Sequence, residues 1–220
     1  MCKQKNLWIT ATFIMCLVTT TQAATLYSWE FSEGFGGGEW NSASNDPYLQ
    51  SATWTTGSGT ETFDRKAGKK LRVGTWDTAS FAAAESNNDY IEFTMAPVSG
   101  NLCSVDELTT YGRGASYNAG QVELRSSLDG YASVLDTEVF TGSNYRTFEV
   151  AGHDNLSTPV TFRLYGYQET AGNDFSKLQF RDDGHGSEPE VWLYGTAVPE
   201  PVSGLVFGLL GVTVLLRRPW

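Results

Sequence analysis

An all-β fold, an antiparallel β-sandwich of jelly-roll type, is what the middle of this 220-residue sequence predicts. Apolar and polar residues alternate with a period of two over short stretches, turn-forming residues separate those stretches, and no long helical period interrupts them. The clearest strand is Val160, Thr161, Phe162, Arg163, Leu164, Tyr165, in which Val160, Phe162 and Leu164 are apolar while Thr161 and Arg163 are free to face solvent. Ile91, Phe93 and Met95 alternate with Glu92 and Thr94 in the same way, and Val122 and Leu124 with Glu123 and Arg125. Further strands are expected at 26–31, 71–73, 134–140, 147–150, 178–180 and 191–194. Asp129-Gly130 and Asp183-Gly184 supply residues that accept positive backbone dihedrals, and Pro97 with Gly100 closes the strand before them. The stretch 34–59, with Gly36, Gly37 and Gly38 and scattered Asn and Ser, is expected to form long surface loops.

The two ends of the chain have a different character. Lys3 and Lys5 precede an apolar stretch at 7–18 and then the small, polar run 19–24, the order of charge, apolar segment and small residues that marks a secretory signal peptide. Cleavage is expected between Ala23 and Ala24, with Thr21 at the third position back. A retained anchor would need about 20 apolar residues, more than this Thr-containing stretch offers. Cys2 and Cys16 leave with the signal, so Cys103 alone remains and no internal disulfide can form; stability must come from a core. Neither His153 nor His185 has a metal-spaced partner, which excludes a Cys/His zinc site.

At the other end, Val198, Pro199, Glu200 and Pro201 are followed by fifteen uncharged residues, 202–216, and then Arg217 and Arg218. A helix of that length spans about 22 Å, short for a hydrocarbon core of about 30 Å unless the arginines snorkel and the bilayer thins. The basic pair favours an inside location for the end of the chain, leaving the body outside. Pro-Glu-Pro, an apolar helix and terminal arginines, in that order, resemble the PEP-CTERM sorting signal of bacterial exported proteins. That resemblance covers roughly 197–220. It implies export through the Sec translocon, transient membrane insertion through the C-terminal helix, recognition by an exosortase-type membrane peptidase near Pro199, Glu200 and Pro201, and delivery to the cell surface or its matrix. The expected organisation is therefore a signal helix at 1–23, a β-sandwich domain at 24–196 and a sorting tail at 197–220 that contains a transmembrane helix. The body resembles the secreted β-sandwich domains that accompany such tails, through the stretches 88–94, 124–130 and 159–167. A Trp-rich final strand is missing where Phe175, Ser176, Lys177 and Leu178 stand. This second resemblance implies a fold and a location, and no activity.

Charge narrows the functional classes. Leaving out Lys3, Lys5, Arg217, Arg218 and Glu200, the mature segment 24–199 holds 11 basic against 24 acidic residues. Such a surface repels polyanions, so nucleic acid is not an expected partner. It could hold calcium, a hard cation that takes oxygen ligands, at Asp182 and Asp183 with Glu188 and Glu190 nearby, and at Glu30 or Glu33 if the first and last strands pair. No EF-hand spacing is present, and solvated surface charge is the plain alternative.

For catalysis, His153 with Asp154 and one of many serines could be drawn as a triad, but no Gly-x-Ser-x-Gly elbow occurs. A glycan-active enzyme would need two carboxylates held about 5 to 9.5 Å apart across a sugar, a geometry that sequence does not give. No catalytic residue is assigned. A structural surface or matrix component is the first reading, and a lectin-like module binding extracellular polysaccharide is the alternative. Trp40, Trp54 and Trp76, with Tyr48 and Tyr117, sit in loop-like surroundings where a ring could stack on a pyranose. A flat exposed group of two or more aromatics separates the two readings: the lectin needs one and the purely structural component does not.

Overall fold

A computed structural model describes residues 23–29, 40–59, 70–74, 80–113, 120–140, 143–167, 177–181 and 191–200. In chain order the elements begin with β1 (Ala24–Trp29), β2 (Trp40–Asn41), β3 (Ser44–Asn45), β4 (Thr53–Thr56) and β5 (Lys70–Gly74). A short helix, α1 (Phe81–Asn87), precedes β6 (Tyr90–Met95), β7 (Asn101–Arg113), β8 (Gly120–Ser126) and β9 (Asp136–Phe140). The chain continues through β10 (Ser143–Glu149), β11 (Val160–Tyr167), β12 (Lys177–Arg181) and β13 (Val191–Pro199).

These strands form two antiparallel sheets. Sheet A runs β3-β1-β13-β7, with β10 on the other edge of β7 and the β12–β5 pair joined at the far end of β7. Sheet B runs β2-β4-β6-β11-β8-β9. Ranked by chain order, β1, β6, β7, β8, β9, β10, β11 and β13 lie in the orders 1-8-3-6 and 2-7-4-5, the winding of a jelly roll. The all-β jelly-roll sandwich predicted for the middle of the chain is thus observed. The signal segment 1–22 and the apolar segment 202–216 lie outside the described residues. Among the described residues no helix is long and apolar enough to cross a membrane.

Alternation explains which faces meet. Ile91, Phe93 and Met95 of β6, Val160, Phe162 and Leu164 of β11 and Val122 and Leu124 of β8 are buried, and they face Val191 and Leu193 of β13 and Cys103, Val105 and Leu108 of β7. Aromatic rings concentrate at one end of this layer. Trp29 meets Trp54 edge-on with centroids 5.6 Å apart, Trp54 lies 4.6 Å from Phe93, and Phe93 stacks on Phe162 at 5.3 Å. The Trp29 indole donates to the Ala52 carbonyl at 3.2 Å, which satisfies its one polar atom inside the core.

Two bulges break the period of two. Between Val105 and Glu107 the register with β13 slips, so that Asp106 is an extra residue and the inward set changes from Cys103 and Val105 to Leu108 and Thr110. The slip hides the longest strand of the protein from a reading based on alternation, and the sequence suggested no strand there. In β1 the register slips between Thr25 and Tyr27, which lets Leu26, Tyr27, Ser28 and Trp29 all be buried. Gly195 borders the first bulge, opposite Val105 of β7, and faces Ala24 of β1 on its other side. A methyl there would overlap the Ser104 carbonyl and come within 2.8 Å of the Leu26 Cδ1 atom, so the close approach of the strands requires glycine.

The expectation of surface loops through 34–59 is corrected in part. β2, β3 and β4 lie between Trp40 and Thr56 of that stretch, and β4 pairs with β6 through Trp54 opposite Phe93. Between the two ends the sequence pattern predicts no helix, whereas α1 lies on the outer face of sheet B against β11. Ser80 caps its start by accepting from the Ala83 amide at 3.4 Å, and Asn88 ends it in the left-handed region at φ 59. Seven residues are too few to show a helical period.

Cys103 is a buried thiol 3.3 Å from the Met95 sulfur, as its apolar neighbours suggested. Burial, with Asp46 and Asp106 adding negative potential, pushes its pKa from 9.0 up to about 12. Burial also raises Tyr27, whose hydroxyl donates to the Gln50 carbonyl at 2.7 Å. Both groups hold their protons more tightly when folded, so their contribution is complete below pH 9 and is lost as pH rises toward 12. Urea midpoints are expected to fall steadily across that range. Cys103 is expected to resist alkylation at pH 8 until denaturant is added, as peptide mapping would show.

Candidate functional site

The outer face of sheet A carries an aromatic platform. Inward Val191 and Leu193 leave Trp192 and Tyr194 on the outer side of β13; inward Leu108 and Thr110 leave Glu107, Thr109 and Tyr111 on that side of β7; and inward Phe148 leaves Tyr145, Thr147 and Glu149 on that side of β10. Register brings these together. Tyr145 lies opposite Tyr111, and Thr109 lies opposite both Thr147 and Trp192. The Tyr111 and Tyr145 ring centroids are 4.8 Å apart with their planes inclined at 56°, and those of Tyr145 and Trp192 are 5.9 Å apart at 45°, so three side chains from three strands form one ridged aromatic surface rather than a flat one. Tyr145 is 45% exposed, with Tyr111 and Trp192 half-buried beside it. The Thr109 and Thr147 hydroxyls meet at 3.0 Å below the rings and add polar atoms to the apolar surface.

The outer face of sheet B is occupied differently. Arg125 donates from Nε and Nη2 to Glu123 Oε2 at 3.0 and 2.7 Å, and from Nη1 to the Tyr131 and Ala132 carbonyls at 3.0 and 2.8 Å. Tyr167 donates to the other Glu123 oxygen at 2.5 Å, and the Phe81 ring of α1 covers the guanidinium at 3.5 Å. Beside it, Arg163 is sandwiched between the Tyr90 and Tyr131 rings, each 3.9 Å away, and bonds Glu92 at 2.7 Å. Burial works to lower the Arg163 pKa, but the hydrogen bonds with Glu92 and Tyr165 outweigh it and raise the value. The donors of Arg125 are spent on internal partners, and both guanidiniums hold the 127–135 connection and α1 to the sheet.

Among the predicted sugar-binding residues, Trp54 is corrected. It is 1% exposed, wedged between Trp29 and Phe93, and has no face to offer a ligand. Its Gly- and Thr-rich neighbours suggested a loop, but its placement opposite Phe93 turns it inward. The Trp40 backbone pairs with Trp54 in sheet B, and its side chain lies outside the described residues, as does all of Trp76. Tyr48 is exposed, apart from the platform strands. Sequence reasoning missed Tyr111, Tyr145 and Trp192. The available signal was the outward parity of Trp192 beside inward Val191 and Leu193; the other two rings needed the register.

Glu30, Asp182 and Asp183, the candidate calcium ligands, lie outside the described residues. The strand pairing on which the Glu30 assignment rested is present, with Trp29 opposite Val191. Among the described residues no three His, Cys, Asp or Glu side chains are grouped to hold a metal ion. His153 does find a serine: its Nε2 is 2.8 Å from Ser126 Oγ, and its Nδ1 is 2.9 Å from the Ala151 carbonyl. The pair has the arrangement of a nucleophile and a base, but Ser126 and His153 are 2% and 4% exposed and the imidazole packs on Phe162. A substrate carbonyl would have to enter the core to reach it.

Of the sorting residues, Pro199 ends β13 opposite Asn101, and the Glu200 amide donates to the Gly100 carbonyl at 2.9 Å. The sheet therefore runs through Ala197, Val198 and Pro199, into the segment assigned to the tail. Pro201, Arg217 and Arg218 lie outside the described residues. At the other boundary Ala24 opens β1 opposite Gly195, with Ala23 just before the strand.

Fold and surface together define a jelly-roll sandwich with a three-ring platform on one outer face. No family model and no curated protein matches the chain. Among solved structures it is similar to a family two carbohydrate esterase from Cellvibrio japonicus, at 11% identity and a TM-score of 0.36, over 82% of this chain and 37% of that one. It is similar to the secreted serine protease VesC from Vibrio cholerae at 8% identity and a TM-score of 0.33, over 70% of this chain and 25% of that one. The third is TmCBM61, solved with beta-1,4-galactotriose, at 10% identity and a TM-score of 0.32, over 66% of this chain and 82% of that one. No residue role is taken from any of them.

Proposed function

We propose that this protein is an exported, non-catalytic sandwich that binds polysaccharide through the outer face of sheet A, at the cell surface or in its matrix. The observation that carries the reading is the Tyr111–Tyr145–Trp192 platform, a group of rings on three adjacent strands with Tyr145 45% exposed. The rings are tilted rather than coplanar, so a sugar would stack on the exposed Tyr145 face with Tyr111 and Trp192 at its edges. Sugar rings present apolar C–H faces that stack on aromatic side chains, while hydroxyls at the edge of the stack find polar partners such as Thr109 and Thr147. Export rests on the signal-peptide pattern. Sorting by an exosortase-type peptidase rests on Pro199, Glu200 and Pro201, the apolar helix expected at 202–216, and Arg217 and Arg218.

The test uses protein recovered from the cell surface, first weighed intact and then run through gels containing soluble polysaccharides. A chain beginning at Ala24 and ending between Pro199 and Pro201 is expected, and retention of the 202–220 tail would overturn the sorting assignment. In the gels, Tyr145→Ala and Trp192→Ala are each expected to weaken retention at least about tenfold, about 1.4 kcal/mol, with little change in the Tm of the Tyr145 variant. Equal retention of wild type and both variants would remove the platform from the function.

A further inference from the structure

The platform shares its face with two carboxylates. Glu149 lies directly opposite Glu107 across β10 and β7, and Tyr194 lies opposite Glu107 from β13. This row is the next outward row after Trp192, Thr109 and Thr147, about 7 Å away along the strands. Glu107 is half-buried and Glu149 is exposed. Like charges directly opposite one another in a sheet destabilise it. The ion pairs among the described residues, Glu123–Arg125, Glu138–Arg146 and Glu92–Arg163, engage neither glutamate. Burial, with the Glu107 charge adding to it, raises the Tyr194 pKa, so the neighbouring phenol remains a neutral donor and brings no further charge.

We infer that the face selects a polysaccharide carrying ammonium groups, a polymer of amino sugars with free amines, over neutral and anionic glycans. The inference rests on the reading that the platform binds sugar, and it names which sugar. Trp192 lies one outward row from Glu107 and Glu149 and Tyr145 two rows away, so a glycan stacked on either ring and extended along the strands brings its next units over the carboxylates. An ammonium there is attracted by both carboxylates and by the ring faces of the surrounding aromatics. A neutral glycan gains nothing from the opposed pair. A polyuronate is repelled by it and by the excess of 24 acidic over 11 basic residues in the segment 24–199.

The experiment compares a soluble glucosamine polymer, its N-acetylated counterpart, a neutral glucan and a polyuronate by affinity electrophoresis at physiological ionic strength. Wild type is expected to bind the free-amine polymer about tenfold or more tighter than the acetylated one. Glu107→Gln with Glu149→Gln is expected to abolish that preference while leaving binding to the acetylated polymer in place. The exposed Glu149→Gln change alone should reduce it. Glu85→Gln with Asp154→Asn removes the same amount of charge elsewhere and is expected to keep the preference. Equal affinity of wild type for the free-amine and acetylated polymers would overturn the inference and leave the platform reading standing. An equal loss of preference in the Glu85 and Asp154 control would also overturn it, by making the preference a general attraction to an acidic protein. Failure of wild type to bind any of the four polymers would overturn both.

Discussion

Trp54→Ala is expected to lower the free energy of unfolding by about 3–5 kcal/mol, read as a fall in the urea midpoint at unchanged slope. The indole is buried between Trp29 and Phe93 at the point where β4 joins sheet B, so removing it loses both transfer free energy and ring contacts. Its neighbours are other large rings, held by the Trp29 bond to Ala52 and the Phe93 stack on Phe162, and they cannot collapse into the space. The change separates core from surface: such a variant, if folded at low temperature, should bind polysaccharide as the wild type does. A loss below about 1 kcal/mol would mean that Trp54 is not packed as described.

Arg125→Met is expected to cost a similar amount, about 3–5 kcal/mol, because it leaves the Glu123 carboxylate beneath α1 with the Tyr167 hydroxyl as its one remaining partner. The Tyr131 and Ala132 carbonyls lose their donor in the same step, and Tyr131 holds a positive φ of 66 that its connection must keep in place. Glu123→Leu combined with Arg125→Met removes the stranded charge and should recover part of the loss, the carbonyls accounting for the remainder. A double variant no more stable than the single one would show that the orphaned carboxylate is not the main cost.

How far the fold could be read from the sequence depended on whether a strand kept its parity. β6, β8 and β11 keep strict alternation through Met95, Leu124 and Leu164, and they were found. β7 changes parity at Asp106, so its inward residues no longer follow one period, and the strand at the centre of sheet A was missed. β4 is only four residues long and is set among glycine, serine and threonine. The site was harder still. Trp54 and Trp192 are the same residue type in similar company, yet one is sealed in the core and the other lies on an outer face. Sequence distinguishes them only once each strand's inward side is known. Tyr145 joins Trp192 through the order of strands in the sheet, a property of the whole chain that no local pattern carries.

The placement of β13 between β1 and β7 has a consequence for how the molecule comes into being. The first strand finds its one long partner in the last, so Ala24 and Gly195 must meet before sheet A is complete. The two positions lie near opposite ends of the described residues. Contacts of such long sequence separation make folding slow. Loss of the last nine residues of the sheet, Val191–Pro199, would leave β1 paired only with the two-residue β3.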